Sequence, residues 1–379
     1  MRRGLLLGVS LGLLISCTES PALPPILVMN NDNALTAIST AGEPVELVAA
    51  DPDRVVSQAT WGPDGRLAVW TEIDTAAGEG VIAMGDSQGQ RRIDGGTIPY
   101  FYAWSPDGSH VAYLGNAPDG TGVALGIVDV VEGTAGLVDS GAPYYLDWAP
   151  DSSRMAIHVD TTFLGFVDLE GNRTALSTAP GRFQAPEFLD DGRLLVAIGG
   201  DVQGVAISEP SGEPVLVAPT DGGTFFAASS NGDTLAYTDT ADAPIMGSLA
   251  VLPLSDGGVP EDSQTVSEDA VVAFEWSPSG GKLLYLTVNE QGTALIPQVW
   301  EDGSSEVYDE LVPTQEMISQ YLPFWDQYSR VLTLWAPDGA SFVLPVDAEN
   351  GGSIVVYDVE SGATTRVSGG RFASWAPGS

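Results

Sequence analysis

The sequence predicts an all-β fold, an eight-bladed β-propeller of four-stranded antiparallel blades, and three observations predict it. A turn motif, Trp104-Ser105-Pro106-Asp107-Gly108, recurs along almost the whole chain. Its copies are separated by roughly 40 residues, the length of one four-stranded blade. Helical periodicity is hard to find after the first residues, whereas short runs of Val, Leu, Ile and aromatics alternate with turn clusters as half-buried strands do.

The motif has a mechanical reading. Pro presets its own φ, Asp bonds its own backbone and Gly takes the positive φ of a tight reversal, so each copy is a hairpin turn with a strand entering at the Trp. The nearest copies stand at Trp61, Trp104, Trp148, Trp276, Trp335 and Trp375, and eroded ones, which keep the turn residues but lack the Trp, at Phe188 and Ala228. Pro99 to Trp104, Val111 to Leu114, Val123 to Val130 and Ala135 to Asp139 read as the four strands of one blade.

In chain order, residues 1–16 read as an export signal. Met1-Arg2-Arg3 is the charged start, and the apolar run Leu5 to Ile15 is too short for a permanent span. Leu14-Ile15-Ser16-Cys17 resembles the bacterial lipobox, which implies cleavage before Cys17, lipid attachment at that single cysteine and anchoring to a membrane outside the cytoplasm. Residues 17–25 form the tether, and 26–379 a single propeller domain. Ile26 to Met29, Ala34 to Ser39 and Val45 to Ala49 look like three strands of a blade whose first strand is missing, while Arg371 to Trp375 is a first strand with nothing after it. Joined, they close the ring and leave no sheet edge exposed.

The interval between Trp276 and Trp335 is the longest, and its extra length falls in residues 313–328, read as an inserted loop. Tyr321, Phe324, Trp325, Asp326, Gln327 and Tyr328 mix stiff aromatic area with hydrogen-bonding groups, so the loop is either a plug over the channel mouth or a ligand or partner contact.

Charge narrows the partners. A formal charge of −37 with Lys282 as the only lysine repels nucleic acid and anionic headgroups. A monomer is expected, with an envelope protein, peptide or glycan as partner. His110 and His158 stand apart in different blades, and one cysteine cannot build a metal cluster, so no cofactor is expected. The exception is a divalent cation among channel acids. The residue before the reference position is Asp147, Glu187 and Glu275 in three repeats, and first strands of blades line the axis. Three carboxylates there demand a cation, water or protonation.

The Trp-Ser-Pro-Asp-Gly turn followed by an apolar run ending in Tyr113 resembles the repeat of TolB-type, WD-like propellers, also found in non-catalytic domains of prolyl-oligopeptidase and tricorn-type proteases. The resemblance covers residues 26–379. It implies the scaffold and leaves function open. With no recognised group of nucleophile, base and orienting residue, the expectation is a lipid-anchored binding scaffold without catalysis. The alternative is an envelope lyase or hydrolase using the channel acids.

Overall fold

A computed structural model describes residues 25–39, 44–209, 212–239, 247–254, 262–349 and 351–378. Cys17, the signal and most of the tether lie outside these residues. The described chain is all-β except for one short helical segment, and its strands form seven sheets of antiparallel neighbours in chain order. The second repeat is representative: Pro99–Trp104, His110–Asn116, Val123–Asp129 and Thr134–Gly141 pair successively, with Trp104 opposite Val111 and Val128 opposite Val111 on its other side.

The motif turns take the geometry their residues dictate. Gly65, Gly108, Gly192, Gly232, Gly280 and Gly339 all have φ between 65° and 85°. The third copy has no glycine, and Ser152 there adopts φ 59°, a conformation that costs a non-glycine residue energy. Each hairpin is closed across the turn, as by Ser105 N–H donating to the His110 carbonyl at 2.9 Å. The repeat Trp has a second task. Trp148 Nε1 donates to the Ala103 carbonyl at 3.0 Å, Trp276 Nε1 to Ala227 at 3.0 Å and Trp335 Nε1 to Glu275 at 3.1 Å. In each pair the carbonyl precedes the reference residue of the repeat before, so the indole ties one first strand to the preceding one.

The two ends of the chain meet. Phe372–Trp375 pairs antiparallel with Ile26–Met29, Trp375 opposite Ile26 and Phe372 opposite Met29, and Leu35–Ile38 and Val45–Val48 complete that sheet. Two repeats share one seven-stranded sheet because Gln264–Trp276 is continuous. Its first part pairs with Gly247–Pro253 and its second with Leu283–Val288.

Residues 313–328 differ from the loop the sequence suggests. Met317–Tyr321 is a π-helical turn, Leu322–Phe324 a 3₁₀ turn and Trp325–Tyr328 one α-helical turn. Such a segment is too short to be stable alone; its tertiary bonds hold it. No strand forms over residues 329–334, and the repeat ending at Trp335 keeps only a single bridge there, Trp335 opposite Phe342. His158 is fully buried. Its Nδ1 is 3.0 Å from the Gln184 carbonyl, and desolvation holds its pKa below the usual histidine value.

Candidate active site

The helical insert and the first strands together build the axial region. Tyr328 Oη donates to Gln58 Oε1 at 2.8 Å and to the Tyr100 carbonyl at 3.1 Å. Gln327 both accepts from and donates to the Leu146 backbone, each at 2.8 Å. Asp326 accepts from Ala185 N–H, Trp325 Nε1 donates to the Phe274 carbonyl, and Arg330 donates to the Phe226 carbonyl at 2.6 Å. Near the start of the insert Glu316 is ion-paired with Arg371, and Tyr321 stacks on Phe372 at 3.7 Å. The insert, with Arg330 just after it, thus reaches the first strand, or the residues just before it, in seven of the repeats, all but the one at Trp335 that follows it. Trp325, at 2% exposure, and Tyr321, Gln327 and Tyr328 are buried; Phe324, at 48%, is not.

The three acids line one cavity of about 400 Å³ with Arg330. Pro278, Pro337 and Pro377, all from motif turns, are also in its wall, which places the cavity at the turn ends of the first strands. Phe188 and Ala228, the two positions that lack the repeat Trp, are in the wall as well. A Trp at Ala228 would reach for the Glu187 carbonyl, as its counterparts do elsewhere, and crowd this space; alanine leaves it open.

Each acid bonds forward to the next repeat. Asp147 accepts from Phe188 N–H at 2.6 Å, Glu187 from Ala228 N–H at 3.0 Å and Glu275 from Leu334 N–H at 3.1 Å. Burial pushes all three pKa values up: Asp147 to about 7, Glu275 to about 8, and Glu187 upward with Arg330 opposing. Their surroundings differ in one respect. Glu187 has a cation in contact, Arg330 Nη1 at 3.1 Å from Oε2, with side-chain exposures of only 6% for Arg330 and 12% for Glu187. Glu275 has only backbone donors. Arg330 escaped the sequence reading because no local pattern marks it; its position just after the long insert was the sole signal. No group of three or more His, Cys, Asp or Glu suited to a metal occurs among the described residues.

No family model and no curated protein matches the sequence. Solved structures do. Dihydro-heme d1 dehydrogenase NirN in complex with DHE is similar over 93% of this chain and 74% of its own, at 17% identity and TM-score 0.59. An oligogalacturonate lyase in complex with manganese is similar over 82% of this chain and 86% of its own, at 15% identity and TM-score 0.50. TolB from Acinetobacter baumannii is similar over 86% and 83%, at 16% identity and TM-score 0.45. The fold is of the β-propeller kind, all-β with mostly four-stranded antiparallel sheets. At these identities the likeness establishes the fold alone.

One expectation is corrected here. The chain was expected to be a binding scaffold without catalysis, yet its structural neighbours include a dehydrogenase and a lyase, so the propeller cannot be taken as a sign of a non-catalytic module. The manganese in one neighbour likewise leaves the expected lack of a cofactor unsupported. No helix among the described residues is long and apolar enough to cross a membrane.

Proposed function

We propose that the chain is a hydrolase of the extracytoplasmic space that cleaves its substrate in the cavity lined by Asp147, Glu187, Glu275 and Arg330. The observation that carries this reading is the unequal environment of carboxyl groups around one cavity. Glu275, with backbone donors only, is pushed up to about 8 by burial and is the better holder of a proton, whereas Glu187, also raised by burial, has the Arg330 guanidinium against it opposing that rise and favouring the charged form. That division supplies an acid and a base. Glu187 takes a proton from water, the water oxygen attacks the glycosidic or acyl carbon, and Glu275 gives its proton to the departing oxygen or nitrogen as that bond breaks. Asp147, poised near neutrality, is a second proton donor. A charge of −37 favours neutral or cationic substrates over polyanions.

Lyase action on a uronic acid is the second reading, favoured by Arg330, whose guanidinium is suited to neutralising a substrate carboxylate. Two variants test the chemistry. Glu187→Gln and Glu275→Gln should each abolish release of shortened products from a panel of oligosaccharides and peptides, while retaining cooperative melting. Full turnover in both variants would remove these acids from the mechanism.

The setting of the enzyme belongs to the same proposal. Eight blades form a closed ring, one of them completed by Phe372–Trp375 beside Ile26–Met29 and two joined through Gln264–Trp276; the pairing of the chain ends supports this. Cys17 carries the lipid that holds the chain at a membrane. Palmitate labelling that persists in Cys17→Ser would refute that anchor.

A further inference from the structure

At the opposite ends of the first strands from the acid-lined cavity lie two adjoining cavities of about 430 Å³ and 240 Å³. Their walls include the opening residues of first strands, Tyr100 and Tyr145, where the acid-lined cavity has closing residues such as Phe188 and Trp276. Tyr145 and Phe183 belong to both cavities and stack with ring centres 4.3 Å apart, forming the divider between them. The helical insert serves both sides, presenting Ser319, Gln320 and Phe324 to the larger and Leu322, Pro323 and Asp326 to the smaller.

We propose that these two cavities are adjacent subsites of a cleft for a neutral oligosaccharide. Three features argue for that ligand class. Aromatic rings stand free at the rim of the larger cavity, Phe324 at 48% exposure and Tyr100 at 37%, where hydration is given up on contact. No Lys, Arg or His lines either cavity, and Asp326 is the one carboxylate, so an anionic ligand has no counter-charge in a protein that already carries −37. Apart from Asp326, the polar side chains include amides and hydroxyls, Gln58, Gln320, Gln327 and Ser319 on one side and Gln184 and Thr238 on the other, among aromatic residues. A sugar ring offers the matching surface, an apolar face edged by hydroxyls. An extended peptide would instead seek backbone partners along an open strand edge. The two volumes side by side fit a chain of rings rather than one ring.

The cleft is independent of the chemistry proposed above, because its test reads binding and needs no turnover. Calorimetric titration of the full chain with cellohexaose, chitohexaose and maltohexaose, and with a ten-residue Pro-rich peptide, decides it. At least one saccharide should bind with Kd of about 1 mM or tighter, and the peptide should not bind. Phe324→Ala and Tyr100→Ala remove exposed rings and should leave the melting temperature unchanged while weakening that saccharide about tenfold. Phe183→Ala, which removes the divider, should weaken hexasaccharide more than disaccharide. The proposal is overturned if none of the three saccharides binds, if the peptide binds in their place, or if saccharide affinity is the same in Phe324→Ala and Tyr100→Ala as in the unaltered chain.

Discussion

Trp325→Ala is the sharpest test of the helical insert as the internal support of the axial region. The side chain is 2% exposed, and its Nε1 donates to the Phe274 carbonyl at 3.1 Å. Truncating a buried Trp to Ala costs about 3–5 kcal/mol through lost burial and the cavity left behind. The lost hydrogen bond adds about 1 kcal/mol. One kcal/mol shifts the melting point of a domain of 150–250 residues by roughly 2–4 °C, and less in a longer chain, so a drop of about 6–10 °C is expected. Differential scanning calorimetry measures it, with Phe324→Ala as the control that should not move. A Trp325→Ala protein that melts within 1 or 2 degrees of the unaltered chain, on the order of a surface substitution, would refute the internal role.

Three further outcomes follow from the same geometry. Burial raises the carboxyl pKa values of Asp326, Asp147 and Glu275 to about 6, 7 and 8, so the stability of their neutral forms is fully present below the usual carboxylate range. It is lost as pH rises through those values; the melting temperature should fall from pH 5 to pH 9, and a rise over that interval would contradict the burial argument. Arg330→Met leaves Glu187 without its cation and should destabilise by about 3 kcal/mol or more, measured by urea unfolding, whereas breaking an exposed pair such as Lys282 with Glu301 should cost under about 1 kcal/mol. Truncation before Phe372 strips the partner from Ile26–Met29 and bares that strand's edge; light scattering should detect aggregation, and a truncated chain that stays monomeric with unchanged melting would count against the terminal pairing.

The sequence carried the repeat because its signal is local. Pro, Asp and Gly at fixed offsets specify a turn wherever they occur, and the left-handed glycines sit where that logic puts them. The terminal pairing was legible as well, since three strands at one end and one at the other add up to a missing blade. The three acids emerged from superposing repeats, which recovers residues sharing a register. What stayed hidden depends on distant parts of the chain. Trp325, Gln327 and Tyr328 show no helical periodicity because their turn is held by strands far away in sequence, through Phe274, Leu146 and Gln58. The loss of Trp at Phe188 and Ala228 read as erosion, yet both line the cavity. Arg330 lacks any motif, and its meaning comes only from Glu187 beside it.

The central claim is that a protonated Glu275 works with an ionised Glu187 in one cavity, and the pH dependence of kcat/KM on a cleaved oligosaccharide or peptide tests it most directly. The profile should be bell-shaped, with an alkaline limb near 8 set by Glu275 losing its proton. A rate that stays level or climbs through that limb, or the lack of any product across the pH range, would contradict the account.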